Sequence, residues 1–491
     1  MRRLSGVDAD LLYAETPSAH LHVGALLILD PSTSATPFGV ESWRMLIESH
    51  LEELVPLRQR LAEVPFGIDR PYWVDDPHFD LGRHVRRIAV PAPGGPKELG
   101  ALVGDLCSYK LDRTAPLWEM WFIEGVENGR IAVLFKAHHC AMDGMTGALM
   151  LGRLLTPEPV EPRIDGPRWQ PAPGQVIPSP LERFAAGLRH VAATPWEART
   201  PLRDTVRSIR KLADTARGPA SAATPLPFSA PRTRLNRDIT PHRGFAYVEL
   251  PLDPVKQVKR HFDVKVNDVA VAICAGALRE YLRSRGELPK DPLIAAVPVS
   301  IRTGEQMSGF GNAVSGLFAT LATHLDDPAA RLRAIHEGTV AAKRVYASGV
   351  EDAVMEWADV SLPGTITLAG KLWTWMHLSE RLPPIFNLLI SNVPGPPMAL
   401  YAGGARLVSC FPMGPLVGNV ALNVTIMSYG EVLGFGLLGC PEVIPDLWEI
   451  TELLPAALDE LTAATIPAAT ASPRPARRSP RRPRSRRSRR N

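Results

Sequence analysis

The run His138-His139-Cys140-Ala141-Met142-Asp143-Gly144 places two imidazoles, a thiol and a carboxylate side by side. One chemistry that such residues could serve is transfer of an acyl group from a thioester to an alcohol, which needs a general base above all. A free hydroxyl is a poor nucleophile, so a general base must take its proton as it attacks. Histidine, with an unperturbed pKa of about 6.5, is mostly neutral at neutral pH and suits that task. A thiol leaves readily, so no strong acid is required. His139 is therefore the candidate base. Asp143, four residues on, would act indirectly, by fixing the loop or neutralising a nearby arginine.

Other readings of the same residues stay open at this level. A histidine at a strand end is commonly just a satisfied polar group. His138, His139 and Asp143 could ligate a metal, although helix-borne zinc sites space their histidines at i and i+4 and these two are adjacent. Cys140 could be a nucleophile beside His139, although neighbours on a strand point to opposite faces.

The elements around the run must hold it rigidly. Arg130–Ala137, apolar on both faces at Ile131–Phe135, reads as a central strand that delivers the chain to His138 and His139. Leu117–Val126 is its hairpin partner, because Asn128-Gly129 suits a turn with positive φ at both central residues. His22–Leu29 reads as a buried strand. Glu41–Val55 reads as a helix ended by Pro56, and Met145–Leu155 as a buried helix. A Pro-rich stretch follows, then two amphipathic helices. One carries Phe184, Leu188 and Val191 at i, i+4, i+7; the other spans Leu202–Leu212. Beyond residue 241 the alternation resumes. Strands are expected at Gly244–Leu250 and Ile294–Pro298, and a hairpin at Asn419–Met427 and Glu431–Leu438. Helices are expected from Pro254, after an Asp253 cap; over Val269–Arg285, capped by Asn267-Asp268; and over Arg331–Tyr346. The expected organisation is an N-terminal domain over 1–155, a connector over 156–240, a second domain over 241–465 and a tail over 466–491. The fold class is α/β: two sandwich domains, each a sheet with covering helices, and a groove between them.

The chain has 491 residues and a formal charge of +4. Ten arginines lie between Arg474 and Arg490; without them 45 basic residues face 51 acidic ones, a net of −6. The body is thus mildly acidic and gives no reason to expect nucleic-acid binding, and the tail is expected to be disordered. Five scattered cysteines with no CxxC favour a reduced, intracellular protein. No signal-peptide core follows Met1, and no apolar run reaches about 18 residues, with Val269–Leu278 and Ile366–Leu378 the longest candidates. The expected location is cytoplasmic.

HHCAMDG resembles the HHxxxDG signature of the bacterial wax ester synthase/diacylglycerol acyltransferase family, within the coenzyme A-dependent acyltransferases of the chloramphenicol acetyltransferase-type fold. Further runs resemble this family in order: Leu4–Pro17, Pro116-Leu117-Trp118, Asn267-Asp268, Pro298-Val299-Ser300-Ile301-Arg302, Ser391-Asn392-Val393-Pro394-Gly395-Pro396, and Leu422-Asn423-Val424 through Ser428-Tyr429. The likeness runs from about residue 4 to 465. It implies two chloramphenicol acetyltransferase-like domains with the active site in the groove. It implies His139 as general base, supported by His138. Asp143 would point away from the substrate in a salt bridge, with Arg302 the candidate partner, and Gly144 would allow a tight turn. Asn267 and Asp268 would hold the site from the second domain, or simply cap a helix. Pro116–Trp118 reads as packing and Ser391–Pro396 as a crossover loop. No cofactor is implied, since acyl-CoA is a substrate. The acceptor would be 1,2-diacylglycerol; the alternatives are a long-chain fatty alcohol, another lipid or polyketide hydroxyl, and, in a different class, lipid binding without catalysis. Such substrates imply work at a membrane or lipid-inclusion surface.

Overall fold

A computed structural model describes residues 2–161, 169–170, 177–197, 225, 228–300, 314–346 and 382–466. The expected helix over Leu202–Leu212, the apolar run Ile366–Leu378, Arg302 and the arginine-rich tail lie outside these residues.

Two six-stranded sheets carry the fold, and the sequence dictates which strands must be central. In the first half, β1 (Arg2–Arg3), β3 (Gln59–Ala62) and β4 (Tyr72–Asp75) make a small separate sheet. β2 (His22–Asp30), β5 (Val85–Ala89), β6 (Trp118–Val126) and β7 (Arg130–His138) belong to the first large sheet. Ile131–His138 of β7 is buried throughout, as a strand covered on both faces must be. The β6–β7 turn has φ of 61° at Asn128 and 67° at Gly129, the left-handed pair that the dipeptide favours. Helices α1 (Gly6–Tyr13), α2 (Val40–His50), α3 (Leu81–His84), α4 (Pro96–Cys107), α5 (Gly144–Leu154) and α6 (Pro180–Glu197) complete this half. α2 stops at His50 rather than reaching Val55. The chain turns there, Pro56 falls in a short 3-10 turn over Val55–Leu57, and Leu51, Leu54 and Leu57 are all buried.

The second large sheet has the order β10-β9-β11-β14-β15-β8. It comprises β8 (Gly244–Pro251), β9 (Ile294–Ser300), β10 (Val314–Thr320), β11 (Leu388–Val393), β14 (Leu422–Tyr429) and β15 (Val432–Gly439). β11 runs parallel to both β9 and β14. Helices α7 (Leu252–Phe262), α8 (Val266–Ser284), α9 (Pro328–Tyr346) and α10 (Leu447–Ala463) belong to this half. α7 starts at Leu252, one residue before the expected Asp253 cap. Pro254 sits inside its first turn, where a missing N–H costs nothing. α8 also starts earlier than expected, with Lys265 as N-cap. Asp268 is its third residue, and its carboxylate reaches back to accept the Lys265 amide at 3.0 Å.

Between β11 and β14 the chain crosses over. β12 (Tyr401–Ala402) and β13 (Ala405–Met413) join the first sheet, whose order is β12-β13-β2-β7-β6-β5. β13 pairs antiparallel with β2. It also packs directly on β15: a Cβ on Gly436 would lie 2.0 Å from the Pro412 carbonyl oxygen. Only glycine permits that backbone approach. The two sheets are thereby locked together beside the end of β7.

Candidate active site

The end of β7 is pinned from both sides. The His138 amide donates to the Leu117 carbonyl at 2.9 Å and the His139 amide to the Leu21 carbonyl at 2.8 Å. Leu21 holds φ at 50°, a left-handed conformation that disfavours a branched side chain. Trp118 is buried, stacks on His84 at 4.6 Å and donates its indole N–H to Leu57 at 2.6 Å. Pro116–Trp118 thus acts in packing and as a backbone support for His138, as the sequence reading holds.

Alternation along β7 sends the two imidazoles to opposite faces. Phe135 and His139 line a cavity of about 150 Å³ between the two large sheets. Ala25 and Leu27 of β2 and Met142 and Leu151 around α5 form one side of it. Leu389, Ser391 and Val393 of β11, Asn423, Thr425 and Met427 of β14, and Pro412–Pro415 at the end of β13 form the other. The lining is mostly apolar, with a few hydroxyls and amides. Asn423 donates to the Pro415 carbonyl at 3.0 Å and accepts from the Thr425 hydroxyl at 2.7 Å.

His138 faces away from this cavity and is 1 % exposed. Its Nδ1 accepts the Cys140 amide at 3.1 Å, and its Nε2 lies 3.4 Å from Glu15 Oε2. Glu15 in turn binds Lys110 and Arg113, each at 2.7 Å. Burial pushes the His138 imidazole below its ordinary range, with Glu15 pulling the other way. Burial alone would raise the Glu15 carboxyl, but contacts with His138, Lys110 and Arg113 hold it well below the usual carboxylate range.

Asp143 is 1 % exposed and is the N-cap of α5; its Oδ1 accepts the Thr146 amide at 2.7 Å. Such a cap contributes about 1 kcal/mol. Its expected partner Arg302 lies outside the described residues. Gly144, expected to allow a tight turn, follows the Asp143 cap directly. It is the first residue of α5, and a Cβ there would stand 3.2 Å from Val393 Cγ2 of β11. Its small size brings the helix against the second sheet. Cys140 is buried, and burial raises its thiol well above the ordinary value, so it is a poor nucleophile.

Asn267 and Asp268 are placed behind the site rather than in it. Asn267 Oδ1 accepts from Asn392 Nδ2 at 3.3 Å. Asn392 falls between Ser391 and Val393, so it projects from the face of β11 opposite the cavity. Asp268 is 2.7 Å from His336 Nδ1 of α9. Asn267 thus braces β11 from its far side, and Asp268 ties α8 to α9.

The comparisons with known proteins fall on this same layout. The family model described as the wax ester synthase/diacylglycerol acyltransferase catalytic domain matches residues 4–270, and the corresponding C-terminal domain matches 310–462. The chain belongs to the wax ester synthase/diacylglycerol acyltransferase family. A Mycobacterium tuberculosis relative, named provisionally as a diacylglycerol O-acyltransferase, is 39% identical over 463 residues, 94% of this chain and 90% of its own. Another from that organism, similarly named, is 37% identical over 94% of this chain and 99% of its own. The solved wax ester synthase/diacylglycerol acyltransferase of Marinobacter aquaeolei VT8 superposes with a TM-score of 0.68 at 29% identity, covering 95% of this chain and 100% of that one. The first condensation domain of the calcium-dependent antibiotic synthetase shares the fold, with a TM-score of 0.56 at 17% identity over 94% of this chain and 97% of its own. The α/β two-domain fold and O-acyltransferase chemistry expected from HHxxxDG therefore hold for this family member.

Sequence reasoning assigned no role to Glu15, Lys110, Arg113, Thr425 or the side chains of Ser391 and Asn423. Glu15 lies within the Leu4–Pro17 opening and Asn423 within Leu422–Val424, so the signal was positional only. Nothing in their spacing links Glu15 to Arg113, which is 98 residues away.

Proposed function

We propose that this protein transfers a fatty acyl group from acyl-CoA to the hydroxyl of 1,2-diacylglycerol, giving triacylglycerol and free coenzyme A. The observation that carries the reading is His139 in the wall of an apolar cavity between the two sheets, at the HHxxxDG position of this family. His139 would take the hydroxyl proton as the oxygen attacks the thioester carbonyl. Collapse of the tetrahedral adduct breaks the carbon–sulfur bond, and the departing thiolate takes that proton back. No cofactor beyond the two substrates enters this scheme.

Wax ester synthesis on a long-chain alcohol is the second reading, favoured by the same apolar lining and by the resemblance to the Marinobacter enzyme. Offering purified protein palmitoyl-CoA with equimolar diacylglycerol and hexadecanol, and weighing the two ester products by mass spectrometry, decides between them. Excess triacylglycerol supports the proposal; excess palmityl palmitate replaces it with wax ester synthesis.

Both acceptors reside in lipid, and no helix among the described residues is long and apolar enough to cross a membrane. We infer that the protein meets its substrates at a lipid surface. α6 supports this. Leu181, Ala185, Leu188 and Ala192 form one exposed stripe at helical spacing, with Leu181 76% exposed. Phe66, 92% exposed, stands edge-on to Phe184 beside it.

A further inference from the structure

His139 is not held by its own contacts alone; its direction is set by the turn it sits in. The Ala141 amide donates to the His138 carbonyl at 2.9 Å, so His139 and Cys140 are the central residues of a β-turn. The amide of Cys140, inside that turn, is taken by the His138 ring at 3.1 Å. The ring nitrogen facing Cys140 must therefore be an acceptor. A neutral imidazole has one N–H and one acceptor nitrogen, so the His138 proton must reside on Nε2. The opposite tautomer would set Nδ1–H against the Cys140 N–H, two buried donors facing each other, and the turn would open.

We propose that Glu15 is a positioning residue for the base: clamped by Lys110 and Arg113, it holds the His138 proton on Nε2 and so keeps Nδ1 as the acceptor that shapes the turn carrying His139. The Glu15–Nε2 separation of 3.4 Å is at the long end for a hydrogen bond, and what Glu15 contributes is an acceptor oxygen, Oε2, facing Nε2. The two cations matter as much as the carboxylate. Glu15 alone, beside a buried ring, would draw a second proton onto His138 and abolish the Nδ1 acceptor. With Lys110 and Arg113 on the same carboxylate its charge is compensated, and the ring stays neutral. Arg113 also donates to the Leu12 carbonyl at 2.9 Å, which fixes the clamp to the end of α1. Lys110 and Arg113 are 41% and 39% exposed, so removing Glu15 returns them to water and leaves no stranded charge.

The proposal rests on the acyltransferase reading, and its test separates the two. Histidine ring nitrogens labelled with 15N report the tautomer directly, with His138 assigned by its loss in His138→Gln. Wild type should show the Nε2–H form. Glu15→Ala should show a mixture of tautomers, with kcat lowered about 100-fold, as for a displaced catalytic group, and KM unchanged. Glu15→Gln keeps an acceptor oxygen and should restore both the tautomer and most of kcat. In Lys110→Gln/Arg113→Gln, His138 should be charged at neutral pH and kcat should fall. A pure Nε2–H signal in Glu15→Ala, or Glu15→Gln behaving as Glu15→Ala, would overturn the proposal. If Glu15→Ala does not fold, a neutral Nε2–H ring with full kcat in the double variant overturns it instead. Wild type that transfers to neither alcohol would remove the proposed function while leaving the tautomer populations readable.

Discussion

At the scale of single residues, the first half of the molecule keeps several imidazoles neutral by burying them. His20, His22, His84 and His138 are each under 10% exposed, and burial lowers the pKa of all four. In the unfolded chain each takes up a proton near pH 6.5, roughly, while the folded state resists it. Unfolding therefore binds protons below that pH, and stability is full above it and falls as the solution is acidified. Urea midpoints measured from pH 8 to pH 5 should hold steady down to about 6.5 and then decline. His22→Asn should flatten that decline; midpoints independent of pH over the range would contradict the buried, neutral assignment. The site was legible at this scale only in part. His138, His139 and Asp143 stand out because they are close in sequence and follow an all-apolar strand. The Glu15–Lys110–Arg113 clamp does not, because Glu15 lies on one loop and Lys110 and Arg113 on another, and only the folded chain brings the two loops together.

At the scale of elements, periodicity located most strands and helices, and the deviations have local causes. Asn267-Asp268 read as a cap, yet Asp268 caps from inside the first turn of α8. Phe184, Leu188 and Val191 share a helical face by spacing, but α6 is rotated from that expectation. Gly187 faces the body, where a Cβ would stand 3.0 Å from Asp69, and Leu188 is 57% exposed. A close approach at glycine overrode the larger side chains, and no periodicity reveals that. The exposed stripe carries its own test. Leu181→Ser/Leu188→Ser should reduce co-sedimentation with phosphatidylcholine vesicles containing diacylglycerol while leaving turnover of a soluble alcohol unchanged. Undiminished vesicle binding would remove α6 from the lipid-facing surface.

At the scale of the whole molecule, the cavity exists because two sheets share a strand exchange. β13 comes from the second half of the chain, closes the first sheet against β2, and rests on β15 through Gly436. The paired sheets and the groove were inferable from alternating elements, but the exchange was not. Strand partners are set by long-range packing, and residues 405–413 carry no mark of which sheet will take them. The exchange brings Pro412–Pro415, Asn423 and Thr425 opposite His139, so base and cavity belong to one rigid structure. The deciding measurement is release of free coenzyme A from palmitoyl-CoA by wild type and by His139→Ala, with diacylglycerol, with hexadecanol and with neither. We expect release that depends on an alcohol and falls by about 100- to 10,000-fold in a His139→Ala protein with unchanged thermal stability. Alcohol-dependent release at the wild-type rate in His139→Ala would contradict the account.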